Sequence, residues 1–229
     1  MIEYLQQLDV QALLGINGWH APFWDYFMKA ASGKLIWIPL YVAIFYTFIR
    51  CYGWKHAVTL GVAIGVVITL ADQTCATIIR PYVERMRPSN ADNPLSQLVH
   101  IVNDYRGGSY GFPSCHATNT FALMAFVAMV TRNRLITGIL LAWAVLNCYS
   151  RMYLGVHYPG DILVGGIVGA GIAAMVYYVT AGIIARICKS SNSEIRNSLI
   201  EKQRQASLPV AVIFATTVVG LLVYSAILV

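Results

Sequence analysis

The sequence predicts an all-α fold, a polytopic membrane helix bundle of about six transmembrane helices. Three observations carry this. Hydrophobic residues make up 58% of the 229 residues. Charged residues make up 11%, against about one quarter in a soluble domain of this length. Apolar runs recur along the chain, long enough to cross a ~30 Å hydrocarbon core. One membrane domain over residues 1–229 is the simplest organisation, with an N-terminal segment 1–30, a core 31–187, and a linker plus last helix over 188–229.

Taken in order, residues 2–17 carry Leu5, Leu8, Leu13 and Leu14 among polar positions, which predicts an amphipathic helix in the membrane interface or a plain docking helix. No basic stretch followed by an apolar core opens the chain, so no cleavable signal peptide is expected. Spans are predicted near 32–50, 56–79, 116–131, 134–149, 160–187 and 208–228. The third and fourth runs are short and are expected to extend into their polar flanks. Residues 189–206 are polar and charged and read as a linker helix or loop. The five cysteines (Cys51, Cys75, Cys115, Cys148 and Cys188) form no CxxC pair. They read as small core residues, with no disulfide framework.

Orientation follows from lysine and arginine in the loops. Arg50 and Lys55, then Arg132 and Arg134, then Arg186, Lys189, Arg196, Lys202 and Arg204 alternate correctly for one cytoplasmic side. Both termini, residues 80–115 and residues 150–159 then face outward. That outer side still holds Arg80, Arg85, Arg87, Arg106 and Arg151. Arginines kept there against the usual bias point to a working site. The formal charge of +6 is therefore read from its placement, with a bilayer and not nucleic acid as the partner. The irregular stretch 88–112 has the length of a lid or binding loop.

Three clusters fall on the outer side. In RPYVERMRP, Arg80 and Arg87 are seven residues apart, about two helical turns, and Pro81 and Pro88 predict a break. Guanidinium grips phosphate in bidentate fashion; the bland alternative is snorkelling at the membrane edge. In GFPSCHATNTF, Ser114 and the backbone N–H groups of Cys115 and His116 would open the third span, and a helix N-terminus binds anions. Alone, Ser114 reads equally as an ordinary cap. In SRMYLGVHYPGD, Arg151 ends one span, and His157 and Asp161 lie four apart at the start of the next. A carboxylate there fixes the tautomer of the ring, although a structural His–Asp pair has the same appearance. Jointly the clusters supply arginines, a helix N-terminus, two histidines and a carboxylate, the equipment of phosphoryl transfer.

These residues resemble the signature of the PAP2 superfamily, the type 2 phosphatidic acid phosphatases: Lys-x6-Arg-Pro, Pro-Ser-Gly-His and Ser-Arg-x5-His-x3-Asp. Here it stands as Arg80-x6-Arg87-Pro88, Pro113-Ser114-Cys115-His116 and Ser150-Arg151-x5-His157-x3-Asp161, across roughly residues 30–187 with the last helix consistent. Arg80 replaces the usual lysine and Cys115 the usual glycine. The fork changes phosphate geometry, and a side chain at 115 is awkward if the backbone must approach phosphate closely.

The resemblance implies roles. His157 would attack phosphorus and form a phosphohistidine. Asp161 would orient its ring. His116 would protonate the leaving oxygen and then activate water. Arg80, Arg87, Arg151, Ser114 and Cys115 would surround the phosphoryl oxygens. No metal and no other cofactor is expected. The partner is a phosphorylated membrane lipid, lipid A phosphate or undecaprenyl diphosphate ahead of phosphatidylglycerol phosphate and phosphatidic acid, at the periplasmic face of a bacterial inner membrane. Two other readings keep the same residues: a metal triad of two histidines and a carboxylate, which the adjacent arginines oppose, and a non-catalytic phosphate-lipid binder or transporter.

Overall fold

The computed structural model describes residues 2–187 and 193–229. Nine α-helices are described: α1 Ile2–Asn17, α2 Pro22–Ala31, α3 Ile38–Tyr52, α4 Trp54–Gln73, α5 Arg80–Val83, α6 Cys115–Thr131, α7 Arg134–Tyr153, α8 Pro159–Ile187 and α9 Ser193–Leu228. A π turn, Thr74–Ile79, joins α4 to α5 without a break. The fold is an all-helical membrane bundle, as the sequence predicts. Among the described residues, five helical stretches are long and apolar enough to cross a bilayer: Leu35–Tyr52, Trp54–Val83, Arg134–Tyr153, Pro159–Ala181 and Gln205–Leu228. Cys115–Thr131 is the shorter, sixth apolar helix. Lys189 and Cys188 lie outside the described residues, and the polar stretch from Ser193 onward is continuous with the last span in α9.

Local chemistry sets the boundaries. Gly53, at φ +80°, makes the tight link between α3 and α4, a conformation that costs an L side chain heavily. Asn133 caps α7 by accepting from Leu135 N at 2.9 Å and Ile136 N at 3.1 Å. Pro22 and Pro159 sit in the first turns of α2 and α8, where the missing N–H costs nothing. The helix through Arg80 stops at Glu84, whose φ of +46° is left-handed. Arg80 and Arg87 are therefore not two turns apart on one helix. Arg87 lies beyond it in an extended segment, where Met86 pairs with Tyr110.

Helices α6 and α8 make the most extensive helix pair. Gly165 and Gly169 of α8 permit it: a Cβ on Gly165 would stand 2.7 Å from Ser114 O, and one on Gly169 would collide with Thr118 O. Small residues at four-residue spacing let membrane helices approach at backbone contact. The core holds Trp37, Phe48, Phe126, Leu140 and Trp143, all fully or nearly buried. The outward faces are apolar too, with Leu163, Ile167, Val62 and Tyr178 exposed. Only 22% of the Pro159–Ala181 window is buried, so most of this helix needs lipid around it.

Helix α1 buries Leu13 and leaves Leu5 and Leu8 exposed, while its polar side holds one end of the bundle. Asn17 donates to Tyr153 O at 2.6 Å and His100 O at 3.0 Å, and accepts from His100 N at 2.7 Å. The 88–112 segment is thus an ordered cover. Ser89 Oγ donates to Arg106 O, Arg106 donates back to Ser89 O, and Asn93 donates to Arg87 O and Tyr158 Oη.

Candidate active site

A cavity of about 640 Å³ opens under this cover. Arg80, Arg87, Cys115, His116, Arg151 and His157 line it, so the three sequence clusters converge. Arg80 comes from α5, His116 and Cys115 from the first turn of α6, Arg151 from the last turn of α7, and Arg87 and His157 from the segments before the loop and before α8.

Each guanidinium is anchored by one edge. Arg80 Nη2 donates to Pro113 O at 3.2 Å and Cys115 Sγ at 2.9 Å. Arg87 Nη1 donates to Val156 O at 3.0 Å and meets His157 Nε2 at 2.7 Å. Arg151 Nη2 donates to Tyr105 Oη at 3.0 Å. In all three the Nε–H is buried and has no partner among the described residues. Buried donors are satisfied almost without exception, so three arginines with unpartnered N–H groups beside one cavity make it a candidate seat for an oxyanion. Burial first, and then the charges of Arg151 and Arg80, lower the Arg87 pKa to about 10, which leaves it charged at neutral pH. Burial pushes the Tyr105 phenol up, but the Arg151 charge, its hydrogen bond and Arg87 outweigh this and lower it.

The tautomer of His157 follows from its neighbours. A guanidinium can only donate, so Nε2, 2.7 Å from Arg87 Nη1, is the unprotonated acceptor. The ring proton then sits on Nδ1, facing Asp161 Oδ2 at 3.4 Å. His157 is 1% exposed. Burial, followed by Arg87, Arg151 and Arg80, holds its pKa well below the ordinary 6.5. It is a neutral imidazole with its lone pair turned toward Arg87. No room is spare behind it: a Cβ on Gly111 would come within 3.2 Å of Asp161 Oδ2 and 3.5 Å of His157 Nδ1.

Asp161 is fully buried and satisfied on both oxygens. Oδ2 accepts from Tyr158 N at 3.0 Å and Oδ1 from Arg85 Nη1 at 2.9 Å. Arg85 lies over the Tyr158 ring, 3.8 Å from its centroid, and its Nη2 meets Asp9 Oδ2 of α1 at 2.7 Å. Asp9 Oδ1 accepts from Gly160 N at 2.7 Å. Asp9 and Arg85 escaped the sequence reading as site residues. Arg85 stood inside the first cluster, and Asp9 is one of only two charged residues in α1; a carboxylate on a membrane-facing helix was the available signal.

Ser114 is fully buried, and its Oγ caps α6 by accepting from Ala117 N at 3.4 Å. Its backbone N–H donates to Asp161 O at 3.0 Å. It thus ties α6 to α8 and sets the direction of the helix N-terminus. The His116 ring lines the cavity and makes no hydrogen bond among the described residues. Arranged this way, the site can hold a tetrahedral oxyanion against a neutral imidazole nitrogen, with a second imidazole on the cavity wall.

The sequence matches the model of the PAP2 superfamily over residues 56–185. It is 48% identical over 187 residues to the lipid A 4'-phosphatase of Bacteroides thetaiotaomicron, covering 82% of this chain and 83% of that one. It is 32% identical over 178 residues to the lipid A 4'-phosphatase of Porphyromonas gingivalis, covering 78% and 75%. Among solved structures, the transmembrane PAP2 type phosphatidylglycerolphosphate phosphatase from Bacillus subtilis superposes with a TM-score of 0.57 at 21% identity, over 82% of this chain and 90% of that chain. The family match spans more than half of the chain, and six residues of the three motifs line one cavity; on both grounds the chain belongs to the PAP2 superfamily, as a multi-pass membrane phosphatase.

Proposed function

We propose that the protein removes a phosphate from a membrane glycolipid of the lipid A type, at the periplasmic face of a bacterial inner membrane, through a phosphohistidine. The single observation that carries this reading is the convergence of Arg80, Arg87 and Arg151 on one cavity with a neutral histidine whose acceptor nitrogen meets Arg87. Arg80, Arg87 and Arg151 would take the non-bridging oxygens, with the backbone N–H of Cys115 and the α6 N-terminus, directed by Ser114, adding positive potential. On binding, Arg87 Nη1 turns from His157 to the phosphate. His157 Nε2 then attacks phosphorus; the P–N bond forms as the bond to the lipid oxygen breaks. Asp161 holds the Nδ1 proton and the charge that develops on the ring. His116 gives its proton to the leaving lipid oxygen. In the second step His116 takes a proton from water, the water oxygen attacks phosphorus, the P–N bond breaks, and inorganic phosphate leaves.

Support for the lipid comes from the two relatives, both named as lipid A 4'-phosphatases. The outward side follows from the lysine and arginine distribution. The test is phosphate release by purified protein in detergent with EDTA present, on lipid A, undecaprenyl diphosphate, phosphatidylglycerol phosphate and phosphatidic acid. Release from lipid A that vanishes in His157→Ala is expected. Equal release by His157→Ala would end the phosphohistidine mechanism, and lipid binding with no release from any of the four would favour a non-catalytic binder.

A further inference from the structure

The five buried side-chain polar atoms without a partner among the described residues all belong to residues on the same cavity. Three are the arginine N–H groups. The other two, Asn119 Oδ1 and Trp143 Nε1, lie deeper. Asn119 is one helical turn inward of His116. Trp143 is eight residues inward of Arg151, roughly 12 Å at 1.5 Å per residue. Asp72 lines the same wall, eight residues inward of Arg80. It is a carboxylate inside a membrane span and forms no ion pair among the described residues. Asn119 Nδ2 donates to its Oδ1 at 3.1 Å, and its Oδ2 makes no hydrogen bond among the described residues.

Ionisable and polar groups at this depth are costly and are kept where they meet a ligand or a pathway. A pair that served only to clamp α4 to α6 would be expected to satisfy itself. Here an acceptor carboxylate oxygen, an acceptor amide oxygen and a donor indole N–H remain. An isoprenoid chain carries neither donors nor acceptors to meet them. A secondary amide or hydroxyl carries both.

We infer that Asp72, Asn119 and Trp143 form a second subsite, below the phosphate, for amide and hydroxyl groups on the acyl-bearing part of the lipid. The inference rests on the lipid-phosphatase reading and deepens it: the substrate is an N-acylated glycolipid phosphate, not a polyprenyl diphosphate. A site built to hydrogen-bond N–H and O–H groups rejects a ligand without them, because its own polar groups are left unpaired.

The experiment measures kcat/KM of the purified full chain on lipid A and on undecaprenyl diphosphate, for the parent and for Trp143→Phe, Asp72→Asn and Asn119→Leu. The parent is expected to favour lipid A by about a hundredfold or more. Each variant is expected to lose about tenfold more on lipid A than on undecaprenyl diphosphate, one hydrogen bond's worth. A lipid A analogue with ester in place of amide linkages tests the same subsite in the parent, whatever the variants do to folding; about a tenfold loss is expected. Equal losses on both lipids, full turnover of the ester analogue, or a parent that prefers undecaprenyl diphosphate would overturn the subsite. Phosphate from neither lipid would refute the phosphatase reading itself, and the subsite with it.

Discussion

Replacing Arg85 by methionine keeps a long stem over Tyr158 and removes every donor between Asp9 and Asp161. Asp161 is fully buried and Arg85 supplies its Oδ1 bond at 2.9 Å. A hydrogen bond to a charged group contributes about 1.5–3 kcal/mol. Breaking a fully buried pair can cost about 3–5 kcal/mol, but the Arg85 side chain is 22% exposed, so the lower range applies. Asp161 keeps its bond from Tyr158 N and stays near His157, now poorly held. If about 1.5–3 kcal/mol falls on the transition state, kcat drops about ten- to a hundredfold, while KM stays within about threefold because the phosphate ligands are untouched. Asp9→Asn keeps an acceptor and loses the charge, so a smaller loss is expected, about fivefold or about 1 kcal/mol. The decisive assay is a double-mutant cycle on steady-state phosphate release. Asp9 acts through Arg85, so Asp9→Asn should add nothing in the Arg85→Met background. Additive losses, or a rise in KM in place of the fall in kcat, would refute the positioning chain.

Other consequences are directly measurable. His157 works neutral, and its pKa lies well below 6.5, so the acid limb that it contributes to kcat/KM should fall well below pH 6.5. Arg151→Gln removes one of the charges that depress it and should move that limb upward. The same group contributes stability that is complete above about pH 6.5 and is lost as pH falls toward its folded pKa, because the unfolded histidine takes the proton first. Gly169→Ala would force α8 away from Thr118 of α6, and a loss of about 1–3 kcal/mol should appear as a lower unfolding midpoint in detergent. Arg80→Lys keeps the charge and gives up the fork; activity within about tenfold of the parent is expected, and complete loss would mean that the fork geometry is required.

The bundle was legible because burial in lipid writes itself as long apolar runs. The run at 116–131 and the start of α7 at Arg134 are found within a residue of their predicted positions. The convergence of the three clusters was legible because each places charged residues, or a histidine and a helix cap, at the end of an apolar run. A break between Arg80 and Arg87 was legible in Pro81 and Pro88, but its position was not: a left-handed Glu84 ends the helix, and nothing in a glutamate announces that. Asp9 reaches the site only through tertiary docking of α1, which no local pattern encodes. Asp72 was visible in principle as the one carboxylate in its apolar run, but its meaning depends on Asn119, 47 residues away in sequence. Ser114 shows the converse. Its cap position was predicted, and its side chain is spent on that cap and not turned to the cavity.

The π turn at Thr74–Ile79 bears on how such a site could arise. A π turn holds one residue more than the α turn that it replaces, and each α-helical residue advances the face by about 100°. A single codon gained in an ordinary membrane span would therefore swing everything after it through more than a quarter circle. Arg80 follows the turn directly and lines the cavity. Deleting one residue from the turn would return the span to α register and swing Arg80 about 100° from its present direction. Within this helix, one residue of register decides which way Arg80 faces, at a kind of turn that is concentrated at functional sites.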